Sequence, residues 1–204
     1  MLDLFDAPSL PGLAFASDIV TEEEERALVA AIDATALLPF RFQGWIGKRL
    51  TSSFGWHYDF EDGKIARAPD IPEWLLEVRA RIAAFAMLDP NVLIQALLTR
   101  YDPGAGIGWH RDRPIYEHVL GLSLGAPAEM RFRRRRGKRD FERFSAPLAP
   151  RGAYHMAGPA RYEWEHSIAE LDRTRWSITF RSASEKARAD FFRSVGDHPE
   201  ASVG

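Results

Sequence analysis

A mainly β domain of the α+β class, with two helices ahead of an antiparallel sandwich or jelly roll, is predicted by three features of the chain. From position 93 onward, β-favouring runs separated by turn residues occupy 93–101, 119–124, 129–135, 141–148, 152–156, 161–166 and 174–181. Two segments ahead of them carry apolar residues at helical spacing. The last run, Arg175-Trp176-Ser177-Ile178-Thr179-Phe180-Arg181, alternates polar and apolar side chains without interruption, as a strand with two unlike faces must.

Taken in order, the chain opens on Met1-Leu2-Asp3-Leu4-Phe5-Asp6, acidic where a signal peptide is basic. No apolar stretch is long enough to cross a bilayer, so the expectation is a cytoplasmic protein without membrane attachment. Thr21-x-x-Glu24 is a capping box whose two side chains can satisfy free amides at a helix start. Leu28 and Ile32 continue the apolar stripe, predicting a first helix over 21–36. Pro72 suits a first helical turn, and Leu75, Val78, Ile82 and Phe85 predict a second helix ending near Asp89-Pro90. Both should brace the outside of a sheet. After residue 182, Glu185-Lys186-Ala187-Arg188 predicts a short helix in the tail.

With 204 residues, 46% of them hydrophobic, the chain can bury one substantial core, and no internal repeat or low-complexity linker divides it. The expected layout is a single domain over 1–204: helices and a lid at about 15–90, a β core at about 91–182 and a tail at 183–204. Nothing points to an obligate protein partner, and a monomer is expected. The absence of cysteine excludes disulfides and thiolate ligands, so any metal must be held by nitrogen and oxygen. A net charge of −2 argues against a nucleic-acid footprint over the whole surface and leaves room only for a local basic patch.

Such a nitrogen and oxygen donor set is present. In Gly108-Trp109-His110-Arg111-Asp112, an extended backbone puts His110 and Asp112 on one face and Arg111 on the other. His166, in Trp164-Glu165-His166-Ser167, is a third donor from another strand. Two imidazoles and one carboxylate on one side of a metal leave the other side open, as a non-haem Fe(II) centre that binds dioxygen requires. Arg175 follows nine residues after His166. It shares its face with Ser177, Thr179 and Arg181, and a guanidinium is well shaped to grip a carboxylate. An ordinary half-buried strand with two solvated arginines would alternate in the same way.

These segments, in this order, resemble the AlkB-like branch of the Fe(II)/2-oxoglutarate-dependent dioxygenases. The resemblance runs from about Leu93 to Arg181 and, more weakly, back to about Phe40. It rests on Arg100-Tyr101-Asp102-Pro103-Gly104, His110-x-Asp112, Gly121-Leu122-Ser123-Leu124-Gly125, Gly158-Pro159-Ala160-Arg161-Tyr162-x-Trp164-x-His166-Ser167-Ile168 and Arg175-x-Ser177-Ile178-Thr179-Phe180-Arg181. Of the two architectures compatible with the strands, the resemblance selects the double-stranded β-helix (jelly roll). It implies Fe(II), 2-oxoglutarate as cosubstrate and dioxygen. His110, Asp112 and His166 would be the metal ligands, Arg175 and Tyr101 would bind 2-oxoglutarate, and Arg181 would lie close to both. Thr99 and Ser177 stand where relatives carry asparagines and would also touch the cosubstrate. The implied reaction couples decarboxylation of 2-oxoglutarate, giving succinate and CO2, to hydroxylation of an N-alkyl group on DNA or RNA, which then leaves as formaldehyde.

Substrate contacts are expected in two places. Phe54-Gly55-Trp56-His57-Tyr58-Asp59-Phe60 resembles the nucleotide-recognition lid of relatives, with Trp56, Tyr58 and Phe60 able to stack on an extruded base. The same aromatics would also suit the interior of a plain hairpin. In Arg131-Phe132-Arg133-Arg134-Arg135-Arg136-Gly137-Lys138-Arg139, Met130 and Phe132 should face inward and Arg133 and Arg135 outward, presenting cations to phosphate; Arg41, Lys48 and Arg49 could extend the patch. Pro114 occupies a position where several DNA-repair relatives place an acid that contacts the base. Alkylated DNA or RNA is thus the expected partner, with hydroxylation of a protein or small molecule as the alternative and an inactive nucleic-acid-binding jelly roll as a third.

Overall fold

The computed structural model describes residues 10–42, 44–58 and 65–188. Its elements run β1 (Leu13–Ala16), α1 (Glu22–Asp33), β2 (Leu38–Phe42), β3 (Trp45–Tyr58), β4 (Ile65–Arg67), α2 (Leu76–Phe85), β5 (Leu93–Tyr101), β6 (Ile107–His110), β7 (Tyr116–Gly125), β8 (Ala128–Arg135), β9 (Phe141–Leu148), β10 (Ala153–Met156), α3 (Gly158–Tyr162), β11 (Glu165–Ile168) and β12 (Arg175–Ala183). The strands form two antiparallel sheets. The larger has the order β1-β10-β7-β12-β5-β3-β2 with β4 paired to β3, and the smaller β6-β11-β8-β9. From β5 to β12 the chain passes back and forth between the sheets, which winds it into the double-stranded β-helix.

Two apolar clusters hold this arrangement. On the outer face of the larger sheet, Leu28 and Ile32 of α1 and Val78, Ile82 and Ala83 of α2 pack on Leu98, Leu120, Leu122, Leu124, Ile178 and Phe180. Each fully buried leucine, isoleucine or phenylalanine there contributes about 1.5–3 kcal/mol relative to exposure. The second cluster joins the sheets through Val119, Met130, Phe132, Ala146, Leu148, Tyr154, Met156, Trp164 and Ile168. Thus the helices brace the sheet as the apolar stripes require.

The capping box forms: Thr21 Oγ1 accepts from the Glu24 amide at 3.2 Å, and the Glu24 carboxylate accepts from the Thr21 amide at 2.8 Å. Helix α1 stops at Asp33, three residues earlier than expected. The second helix begins as a 3-10 turn, Glu73–Leu75, and its α-helical part ends at Phe85, with Met87 at a φ of 56° before Asp89-Pro90. The larger correction concerns 161–166. Residues read as one strand are divided between α3, with Pro159 in its first turn, and β11, which starts at Glu165. Strand-favouring aromatics yielded there to the proline and to burial of Ala160 and Trp164 in the core between the sheets. Residues 185–188 are helical, as expected.

Strand β3 was not anticipated as one long element. It pairs with β5 as far as Gly55 and with β4 from Trp56 onward. Gly55 makes the change of partner possible: its φ is +76°, and a Cβ there would lie 2.2 Å from the Ile94 carbonyl oxygen. Among the described residues, no helix is long and apolar enough to cross a membrane.

Candidate metal and cosubstrate site

His110 and His166 are cross-strand partners on β6 and β11 of the smaller sheet, with ring centroids 4.2 Å apart. Asp112 lies just beyond the end of β6. Its Oδ1 accepts from Arg181 of the larger sheet, Nε at 2.9 Å and Nη2 at 2.8 Å, while its Oδ2 lies 3.6 Å from His166 Nε2. Ligand atoms of all three residues fall within 4.8 Å of one another. One carboxylate oxygen is therefore held by Arg181, and the other faces the imidazoles.

Protonation suits metal binding as well. His110 Nδ1 is 2.9 Å from the Gly108 carbonyl, which can only accept, so Nδ1 carries the proton and the Nε2 lone pair is free. Burial lowers the pKa of both histidines, that of His166 to about 3 with His110 adding to the shift, so both rings are neutral at neutral pH. Burial alone would push the Asp112 carboxyl up. The Arg181 guanidinium and the two imidazoles outweigh it and hold the group well below the ordinary carboxylate range. Two neutral imidazoles and one carboxylate, open on one side, fit Fe(II).

The polar face of β12 lies in the same cavity, whose volume is about 1020 Å³. Arg175, Ser177, Thr179 and Arg181 all line it, whereas Ile178 and Phe180 point into the core behind. Register brings Tyr101 beside Arg175, and Thr99 beside Ser177, on neighbouring β5. Arg175 is only 1% exposed; its Nε donates to Ser123 Oγ at 3.1 Å, and its Nη1 is buried without a hydrogen-bond partner. A buried guanidinium with an orphaned donor is what the distal carboxylate of 2-oxoglutarate would satisfy. The polar face of this strand is thus enclosed rather than solvated.

Three further cavity residues were not singled out from the sequence as parts of this site. Arg161 on α3 donates from Nη2 to the carbonyls of Arg113 and, at 2.9 Å, of Tyr116, tying down the segment after Asp112. Tyr154 packs over Gly121 so closely that a Cβ there would lie 2.3 Å from the ring; burial, with the Asp112 charge adding to it, pushes the phenol up to about 12. Arg49 turns inward, while its neighbour Lys48 pairs with Glu170 on the outside at 2.9 Å. The period-two run Arg49, Thr51, Ser53, all lining the cavity, was the available signal. Arg49 is consequently no part of an outer basic patch.

The expected substrate residues lie outside this enclosure or outside the described residues. Trp56 packs beside Tyr116, Ala183 and Ala187 with Arg67 stacked on it, and it does not line the cavity. The Tyr58 backbone pairs with Ile65, while its side chain and the whole of Phe60 lie outside the described residues. Met130 and Phe132 face inward as expected. Arg133 donates to Glu165 at 2.6 Å, and Arg135 to the Lys138 carbonyl at 3.0 Å. Glu142 and Glu163 pair with Arg134, and Glu142 also with Arg136, so acids offset part of the run.

Residues 44–188 match the model of the 2OG-Fe(II) oxygenase superfamily. A curated relative described as an alkylated DNA repair protein ALKBH8 homolog, from Arabidopsis thaliana, is 27% identical over 94% of this chain and 60% of its own length. The mouse tRNA (carboxymethyluridine(34)-5-O)-methyltransferase ALKBH8 is 27% identical over 78% of this chain. This chain covers 24% of the mouse protein, so the longer relatives contain much that is not matched here. A probable RNA/DNA demethylase ALKBH6 from Danio rerio is also 27% identical, over 61% of this chain and 51% of its own length. Among solved structures, OsALKBH1 superposes with a TM-score of 0.66 at 15% identity, covering 86% of this chain and 99% of that one. A Pseudomonas putida prolyl-4-hydroxylase gives 0.58 at 14% identity, covering 85% and 93%. These two share the fold. The superfamily implies Fe(II), 2-oxoglutarate and dioxygen, for which the His110, Asp112 and His166 donors and the orphaned Arg175 are suited. The chain belongs to the 2OG-Fe(II) oxygenase superfamily and is similar to AlkB-like members of it.

Proposed function

We propose that this dioxygenase oxidatively removes N-alkyl groups from nucleobases in DNA or RNA, releasing formaldehyde, succinate and CO2. The observation that carries the reading is the cavity of about 1020 Å³ opening over His110, Asp112 and His166, with Arg175 at its polar wall: it has room for a cosubstrate and a base together. Relatives whose names concern alkylated DNA, tRNA or RNA/DNA demethylation support the choice of substrate class.

In this reading His110, Asp112 and His166 hold Fe(II), which supplies activation of dioxygen and oxidation of the substrate C–H bond. Arg175 pairs with the distal carboxylate of 2-oxoglutarate. Tyr101, Thr99 and Ser177 donate hydroxyls along the same molecule. Arg181 fixes Asp112 Oδ1 so that Oδ2 is presented to the metal. Tyr58 and Phe60 are the proposed stacking contacts for the base, whereas Trp56 is committed to packing beside Tyr116, Ala183 and Ala187, and Arg133 and Arg135 on the outer face of β8 meet the phosphates. The reading also places the protein in the cytoplasm, as one domain acting as a monomer.

A mass-spectrometric screen of methylated DNA and RNA oligonucleotides with Fe(II), 2-oxoglutarate and ascorbate tests the proposal. Formaldehyde and unmodified base should appear together with succinate. Succinate formed without base repair on any oligonucleotide would favour a protein or small-molecule hydroxylase instead. Pro114 motivates that comparison, since it offers no acid to contact a base.

A further inference from the structure

The cavity holds far more positive charge than the iron and 2-oxoglutarate reading uses. Among the described residues, seven arginines and two carboxylates line it. Both carboxylates are committed, Asp112 to Arg181 and Glu165 to Arg133. A divalent cation and a dianionic cosubstrate would cancel each other and leave the excess unchanged.

Most of the arginines have evident tasks. Arg175 faces the cosubstrate position, Arg161 is spent on backbone carbonyls, and Arg111 donates to the Tyr162 carbonyl at 3.2 Å at the exposed rim. Arg49 is different. It is 8% exposed, lines the cavity, and takes part in none of the ion pairs found among the described residues. Its guanidinium carbon sits 3.8 Å from the centre of the Phe40 ring. A ring face offsets some of the charge but accepts none of the in-plane N–H groups of the fork. Such a group, buried and turned toward a space that a substrate must enter, is suited to a planar or tetrahedral oxyanion.

We propose that Arg49 is the substrate's anion anchor: the molecule oxidised here carries an oxyanion that enters the cavity and pairs with Arg49. The oxyanion is either a carboxylate on the alkyl substituent or a phosphate of the target nucleotide, and both offer the paired acceptors a guanidinium requires. Arg49, Thr51 and Ser53 belong to β3, next to β5, which carries Tyr101 and Thr99. Arg49 takes the substrate's oxyanion and Arg175 the 2-oxoglutarate carboxylate, a division that the 2-oxoglutarate requirement of an Arg49 variant checks.

The test uses the full chain loaded with Mn(II) and N-oxalylglycine, an unreactive mimic that fills the cosubstrate site. Adenosine, adenosine 5′-monophosphate and N6-carboxymethyladenosine are titrated by calorimetry. At least one charged ligand should bind about thirtyfold more tightly than adenosine, the size expected for a buried charge pair; which one gains identifies the source of the oxyanion. Arg49→Met, which keeps the packing on Phe40, should erase the gain while leaving adenosine binding and the thermal midpoint unchanged, and Arg49→Lys should keep part of it. No charge-dependent gain in the wild type, including no binding of any nucleoside, overturns the inference. So does a gain that survives Arg49→Met, or a raised 2-oxoglutarate requirement in that variant. The inference rests on the nucleobase reading, and the failures differ: that reading fails if no oligonucleotide is repaired, whereas oligonucleotides repaired equally well by Arg49→Met count against Arg49 alone.

Discussion

Strands β12 and β8 both carry arginines separated from apolar residues by a period of two, and they use them in opposite ways. On β12 the arginines and hydroxyls face into the cavity, and Ile178 and Phe180 face the helices. On β8 it is Met130 and Phe132 that face inward, while Arg133 stacks 4.5 Å from the Trp109 ring and 4.9 Å from the Phe141 ring on the outside. Alternation identifies two faces; it does not say which one is enclosed. On β12 the helices already cover the apolar face, so the polar face is left to line the space between the sheets. On β8 the outer face carries arginines stacked on Trp109 and Phe141 rather than an apolar layer, so the apolar face turns in.

The comparison breaks most sharply at Asp112. Asp112→Ala should abolish turnover by removing the anionic ligand, and it should cost about 3–5 kcal/mol of stability because Arg181 is left buried without its partner. Succinate release and thermal melting check the two parts separately. Near-normal turnover would refute the metal assignment. On β8 the largest effect should come from the inward face: Phe132 is fully buried, with its ring centre 6.1 Å from that of His166. Phe132→Ala should destabilise by about 3–5 kcal/mol in denaturant unfolding.

A smaller effect is expected on β7 and β10 of the larger sheet. His118 Nδ1 and His155 Nε2 are 2.9 Å apart, and burial lowers both pKa values, that of His155 to about 4 with His118 adding to it. In the unfolded chain both titrate near ~6.5. Between these values the unfolded state binds more protons, so stability is highest above about pH 6.5 and declines as the pH falls toward 4. Melting temperatures across that range should show the decline, and His155→Gln should flatten it. An identical pH profile in the variant would remove the pair as its cause.

Arg133→Ala should have the smallest effect. The 2-oxoglutarate requirement should stay unchanged, while nucleic-acid binding should weaken a few-fold and the slope of log affinity against log salt should fall by about 1. If Arg133→Ala raised the cosubstrate requirement, the division between the two strands would be wrong.

Much of the site was legible because its chemistry is local. His110-x-Asp112 and the unbroken alternation of Arg175 to Arg181 place groups on one face whatever the rest of the fold does. His166 was legible only as a donor from elsewhere, since its register opposite His110 depends on pairing across 55 intervening positions. The helical turn at Gly158–Tyr162 was hidden by strand-favouring aromatics, and Arg49 was hidden by Lys48, which made two oppositely directed side chains read as one basic patch. Tyr154 acts through packing on Gly121, and Arg161 through hydrogen bonds to backbone carbonyls, neither of which any spacing announces.

The most direct test of the account is an anaerobic calorimetric titration of 2-oxoglutarate into Fe(II)-loaded protein, run in parallel on wild type, Arg175→Ala and Arg133→Ala. One molecule should bind per chain in the wild type and in Arg133→Ala with equal affinity. Arg175→Ala should weaken binding about thirtyfold or more, the cost of leaving a carboxylate unpaired in a buried site. Equal affinity in all three proteins would contradict the assignment of the enclosed face of β12 as the cosubstrate site.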